Sequence, residues 1–237
     1  MTDAEWLESI DPPVSLTEAE WLACNSVKPM LKFLRGRISD RKLRLIGVAC
    51  CRRLWHLLMD ERSKGAVEAV ELLADGLIAA HQLGPEFVYL DQLIWVSKKA
   101  RYEMPPTDVV NRIRALQAVS WCLQDCGRPP IDVSPTAANC RMAMADAGED
   151  AIQVDLVRDV VGLTPFRPIM LERVWRSRTA VSIAESVYAD RDFQRLPILA
   201  DAFEDAGCTD QEVLMHCRQP GTHVRGCWVV DLALGKA

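Results

Sequence analysis

Apolar residues recur at three- and four-residue intervals along most of this chain, and that periodicity restricts it to a fold of packed α-helices. After Ser39 and Asp40, which can cap a helix, Leu43, Ile46, Cys50, Leu54 and Leu57 fall on one helical face and predict a central helix. Val67, Val70, Leu73 and Leu77 repeat the pattern up to a break at Leu83, Gly84 and Pro85. Phe87, Leu90 and Ile94 mark a further helix closed by Pro105 and Pro106, and Val109, Ile113, Leu116 and Val119 another running to Gly127. Residues 137–161 and 174–188 read as helical on either side of a break at 162–168. Leu196, Leu199, Ala200 and Phe203 form a last stripe opposite Asp201, Glu204 and Asp205, with Gly207 as its C-terminal stop. No stretch alternates with period two around an Asn-Gly or Asp-Gly turn. The expected fold is all-α, a compact multi-helix bundle with its N- and C-terminal helices packed together.

Capping residues sharpen this reading. The run TDAEWL at Thr2 to Leu7 returns as TEAEWL at Thr17 to Leu22, and each copy is a capping box that starts a short helix with Trp and Leu facing a core. Thr209 with Glu212 predicts a third box, and Pro29 and Gly36 suit the first turn and the end of another helix. From Arg128 to Pro135 the chain reads RPPIDVSP, which neither a helix interior nor a central strand tolerates. This divides the chain into an N-terminal region 1–127, a linker 128–135 and a C-terminal region 136–237, which can still join into one domain. The run from Cys227 to Leu234 is too short to fix its period and is assigned to helix. The tryptophans, seven against five Phe and three Tyr, fall on or beside apolar stripes and are read as core.

With 49% hydrophobic and 26% charged residues over 237 positions, the chain is neither disordered nor fibrous, and it is long enough to fold without disulfides or a structural metal. Its start carries acids and a Trp where an export signal needs a basic, then apolar, segment. The longest uncharged apolar stretch inside an expected element is Leu45 to Cys51, where a membrane span needs roughly twenty residues. Nine cysteines, an odd number, fit a reducing compartment. A cytoplasmic location is expected.

Chemistry concentrates near the C-terminus, where Cys208, His216, Cys217, His223 and Cys227 lie close together in sequence. Thiolates and imidazoles are the usual zinc ligands, and Cys208, His216, His223 and Cys227 are the candidate metal set, with the turn RQPGT at Arg218 to Thr222 folding His223 back toward His216. The spacing matches no zinc-finger pattern. On the plain alternative these cysteines pack as small hydrophobes and the imidazoles are solvated or cap carbonyls. A reactive thiol is a third reading, with Cys227 beside Arg225 and His223 as its best candidate. Cys50 and Cys51 with His56 are a weaker ligand group, because adjacent helical cysteines diverge by about 100°. Cys122 and Cys126 share a helix face at i, i+4 and could chelate with Cys140, but no spacing supports this.

Residues 28–53 carry nine Lys and Arg against Asp40 alone. Arg35, Arg37, Arg41, Lys42 and Arg44 are the candidate basic patch for phosphate backbones or an acidic partner, the bland alternative being a solvated face with internal ion pairs. No helix-turn-helix or RNA-stacking motif accompanies it. Gly-rich phosphate loops, HExxH, GxSxG and EF-hand loops are absent, and Glu149-Asp150 and Glu204-Asp205 diverge on a helix rather than flanking one bond.

LTEAEWLAC at Leu16 to Cys24, MLKFLRG at Met30 to Gly36, SDRKLRL at Ser39 to Leu45 and ACCRRLWH at Ala49 to His56 together resemble the N-terminal module of a large paralogous family of uncharacterised planctomycete proteins. Arg158-Asp159, PFRP at Pro165 to Pro168, RLPILADA at Arg195 to Ala202, AGC at Ala206 to Cys208, HCR at His216 to Arg218 and HVRGCWVVD at His223 to Asp231 resemble its closing signature. The stretch from Leu196 to Gly207 is also faintly similar to the repeat-companion domain. The resemblance spans about 16–75 and 155–237; it implies cytoplasmic origin and end segments that form one unit, and it carries no reaction. The expected role is a non-catalytic binding or scaffold module for a protein partner. The zinc module or metalloenzyme is the alternative, and nucleic-acid binding through 28–53 comes third.

Overall fold

A computed structural model describes residues 15–99, 107–125, 131–144, 148–163, 165–167 and 169–236. Among them are twelve α-helices and no strand. Helix α1 (Glu18–Ala23) starts at a complete capping box: Thr17 Oγ1 accepts from the Glu20 amide, and the Thr17 amide donates to the Glu20 carboxylate at 2.8 Å. Then come α2 (Val27–Leu34), α3 (Asp40–Arg53) capped by Ser39, and α4 (Glu61–Ala74) capped by Asp60. Helices α5 (Gly84–Lys99), α6 (Thr107–Asp125), α7 (Ser134–Met144) and α8 (Glu149–Val161) follow. The last four are α9 (Arg178–Asp190), α10 (Leu196–Asp205), α11 (Gln211–Arg218) and α12 (Trp228–Leu234).

Several local expectations change. The helical stretch 137–161 is two helices, α7 and α8, and the later one begins at Arg178 rather than near Val174. Asp210, not Thr209, caps α11, because its carboxylate accepts from the Glu212 and Val213 amides. Leu22 is exposed while Trp21 is fully buried between the Phe33 and Phe166 rings. Trp228 is buried, Trp55 is half-buried and Trp121 lies 40% exposed, so the tryptophans are not uniformly core. The first TDAEWL copy, Pro105, Pro106 and Cys126 lie outside the described residues.

Helix α3 is buried on nearly every side, with Leu43, Leu45, Ile46, Val48, Ala49, Cys50 and Cys51 all in the interior. It packs against α4, α6, α7 and α8 and is the axis of the bundle. The apolar interior forms two clusters, one from Trp21 to Val161 and one from Ile169 to Ala233, with Leu163 packed against both. The two clusters separate between Val161 and Ile169. In the expected linker 128–135, Ile131 and Val133 are buried core residues of the first cluster.

The two clusters meet along a seam that requires two glycines. Gly226 has φ +96°, and a Cβ there would stand 2.8 Å from Leu45 Cδ1 on α3. Gly162 ends α8 at φ 60° and ψ −138°, a region essentially closed to L side chains, with Trp228 Cγ 2.9 Å from where its Cβ would be. Gly162→Ala is therefore expected to cost about 2–4 kcal/mol from backbone strain and overpacking together. Urea unfolding measures it, and a change below about 0.5 kcal/mol would show that Trp228 does not rest on this backbone.

Candidate metal centre

On the far side of this seam, four side chains converge. Asp159 projects from the last turn of α8 and His216 from α11, while His223 follows the turn after α11 and Cys227 sits at the N-cap of α12. One ligand atom from each lies within 4.8 Å of all the others. His216 Nε2 is 3.1 Å from Asp159 Oδ1 and 3.2 Å from Cys227 Sγ, and His223 Nδ1 is 2.6 Å from the same Asp159 oxygen. The two imidazoles meet edge to face with centroids 5.0 Å apart. The Val224 amide donates to Asp159 Oδ2 at 2.8 Å, which fixes the carboxylate's orientation.

All four are shielded. Asp159 is 4% and Cys227 0% exposed, and the imidazoles keep only a narrow edge to solvent. Burial pushes the Asp159 carboxyl up, but hydrogen bonds and charge from His216 and His223 outweigh it and hold it below its ordinary value. Burial works against a charged His223, yet its contact with Asp159 raises it above its ordinary value. Burial, with Asp159 nearby, holds the Cys227 thiol well above its ordinary value, so as a free group it stays protonated at neutral pH.

This geometry separates two chemistries. In a Cys-His-Asp relay the thiol and the carboxylate occupy opposite nitrogens of the base. Here both face Nε2 of His216, and Nδ1 is taken by the Trp228 indole N–H at 3.1 Å. Arg225, the cation beside Cys227 in the reactive-thiol reading, extends to Asp75 at 2.7 Å. A set of donors converging on one point, two imidazoles, a thiol and a carboxylate, fits a tetrahedral cation with bonds of about 2.0–2.3 Å. The soft sulfur and the two nitrogens favour zinc over the hard cations. One thiolate and one carboxylate would neutralise a divalent ion.

Three of the four expected ligands, His216, His223 and Cys227, are brought together. Cys208 is not with them: its amide bonds to the Phe203 carbonyl at 2.9 Å, ending α10, and its thiol packs in the second apolar cluster. Its place is taken by Asp159, which the sequence marked only as part of the Arg158-Asp159 pair of the closing signature and not as a ligand. Cys217 is also core. Cys50 and Cys51 are both buried while His56 is exposed, so they do not form a ligand set. Cys51 lies within hydrogen-bond reach of Cys122 and Cys140, yet among the described residues no ligand group of three arises there.

The basic segment is engaged within the fold. Arg35 pairs with Asp132, and Arg37 donates to the Phe33 carbonyl and lies over its ring. Arg41 binds both oxygens of Asp231 and also Asp75, while Lys42 donates to Asp231 and to the Val160 and Gly226 carbonyls. Arg44 is half-buried with a partner of its own. Arg41 and Lys42 are thus turned into the fold, while Arg35 and Arg37 remain exposed. Among the described residues no helix is long and apolar enough to cross a membrane. No family model, curated protein or solved structure matches this chain.

Proposed function

We propose that this chain is a non-catalytic helical binding or scaffold module whose C-terminal part is fastened to α8 by one structural zinc ion at Asp159, His216, His223 and Cys227. The observation that carries this reading is the convergence of four protein donor atoms within 4.8 Å of one another, from three helices and a turn. Structural zinc sites are closed by four protein ligands, whereas catalytic ones keep a position for water. Four ligands from this chain leave no such position, and their burial agrees with a fastening role.

The residues around the set impose one adjustment. His216 accepts from Trp228 at Nδ1, so its proton sits on Nε2 and points toward Asp159 and Cys227. To ligate through Nε2, His216 must carry that proton on Nδ1 instead, and the Trp228 indole then loses its acceptor. The indole environment therefore reports on occupancy of the site.

Elemental analysis of protein purified without added metal tests the reading. About one zinc per chain is expected, lost in Asp159→Ala and in His223→Ala and retained in Cys208→Ser. Zinc that survives Asp159→Ala but is lost in Cys208→Ser would restore the ligand set expected from sequence; no zinc in the wild-type protein, even after reconstitution, would remove the centre.

A further inference from the structure

Behind His223, away from the four-residue centre, the seam opens into a cleft lined by arginines. An inner cavity of about 210 Å³ is bounded by Arg52, Glu71, Arg191, Phe193, His223 and Arg225, with Val48, Ala49 and Val224 as its apolar wall. It shares Arg191, Phe193 and His223 with an outer cavity of about 570 Å³. The outer one adds Pro197, Pro220 and Gly221, with Asp192 and Arg218 among its charged residues.

The charge around the inner cavity does not balance. Among the described residues, Arg41, Lys42, Arg52, Arg191, Arg225 and Lys236 form one connected network with Glu71, Asp75 and Asp231 in the interior and Glu68 at the rim, six cations against four carboxylates, and of these Arg52, Arg191, Arg225 and Glu71 line the inner cavity itself. None of the six cations has more than 35% of its side chain exposed. Shielded like charges in excess of their partners are costly. An anion in the cleft would relieve that cost.

Two local features point the same way. Arg225 Nε is buried without a hydrogen-bond partner, and Arg225 lines the inner cavity. Arg191 is the single non-glycine residue with positive φ among the described residues, at +55°. It caps α9, a position where glycine would be free of strain. The strained backbone places its guanidinium beside Glu71 at the cleft, and such strain is retained where a side chain is needed.

From this we infer that the inner cavity binds a phosphoryl group between Arg52, Arg191 and Arg225. Guanidinium forks suit phosphate oxygens better than ammonium groups do. Glu71 accepts from Nε and Nη2 of Arg52, at 2.8 and 2.9 Å, which fixes the guanidinium and leaves its Nη1 for a ligand, and one carboxylate does not cancel three arginines. The inner volume is below the roughly 300–1,000 Å³ of sites for drug-sized ligands, which suits a small dianion. The outer cavity has room for the organic part of a small phosphomonoester. The source is therefore either free phosphate or such an ester, and the site stands whether or not zinc occupies the neighbouring centre.

Calorimetric titration of the full chain at low salt, first with inorganic phosphate and then with glycerol 3-phosphate, tests this. Saturable binding is expected and should weaken about tenfold or more in Arg191→Gly and in Arg225→Gln, as loss of a charge-assisted hydrogen bond requires. Arg35→Gln removes the same charge outside the cleft and should leave binding unchanged. Arg191→Gly also relieves the backbone strain, so it stays folded even if Arg225→Gln does not. Tighter binding of the ester marks an organic phosphate as the ligand; equal binding marks phosphate itself. No heat with either anion at 10 mM, or equal weakening in Arg35→Gln, overturns the site.

Discussion

Replacing Asp231 by alanine is expected to destabilise the folded chain by about 3–5 kcal/mol, enough to lower the thermal midpoint by about 10 °C. Asp231 lies in α12, 2% exposed, with the Arg41 fork on both oxygens at 2.7 and 3.0 Å and Lys42 on one of them. These bonds tie the last helix to the first turn of α3, the axis of the bundle. Removing the carboxylate leaves two shielded cations without their principal counter-charge. Arg41 keeps Asp75 at 3.1 Å, but that group already accepts from Tyr188 and Arg225. Burial pushes Asp75 up, yet Tyr188 and Arg225 outweigh it and keep it ionised, while burial and Asp75 push Tyr188 up to about 12. Asp75 therefore has little capacity left. Asp201→Ala, which removes one of two exposed partners of Arg218, should leave the midpoint unchanged. Urea and thermal unfolding of both variants decide the matter; a loss under about 1 kcal/mol for Asp231→Ala would mean that water reaches the network and screens it.

The legible part of this fold is the part written in short-range chemistry. Ser39 before Leu43 and Ile46, Thr17 with Glu20, and Gly207 after Phe203 all act within one or two helical turns, and each reads correctly. The seam was illegible because it depends on pairs far apart in the chain. Arg41 and Asp231 are separated by 190 residues and Arg41 and Asp75 by 34, so a basic run looked unbalanced when its acids simply lay elsewhere. For the same reason Gly226 reads as a turn residue, although it is a contact with Leu45 that demands it. At the candidate centre, His216, His223 and Cys227 were found because metal-ligand residue types clustered locally. Asp159 was missed because a carboxylate is common on helices, and only the packing of α8 against α12 turns it inward. Cys208 was included by proximity in sequence, whereas its position after Gly207 directs it to the core.

Stripping the metal should have the other large effect, and its pH dependence distinguishes a metal centre from a hydrogen-bonded network of the same four residues. A ligand present at a thousandfold over its Kd contributes about 4 kcal/mol, and structural zinc binds tightly enough to exceed this. Chelation at pH 8 should thus lower the thermal midpoint by about 10 °C or more, with recovery on adding zinc. Without metal, the pair of Asp159 and His223 carries its own linkage. His223 is raised from 6.5, so its contribution is complete below that value and is lost as pH climbs through the raised one. Asp159 is lowered from 3.8, so its contribution is present above that value and is lost as pH falls through the depressed one. The stripped protein is therefore best served between about pH 4 and 6.5 by this pair. The loaded protein behaves oppositely, because Cys227 and His223 must give up protons to ligate, and its advantage grows as pH rises. The gap between loaded and stripped midpoints should widen from pH 5.5 to pH 8, and tryptophan emission should change with loading in the wild type and not in Trp228→Phe. A chelator that moves neither midpoint nor emission at either pH would leave Asp159, His216, His223 and Cys227 as a hydrogen-bonded cluster, with Trp228 holding His216 in the tautomer such a cluster needs.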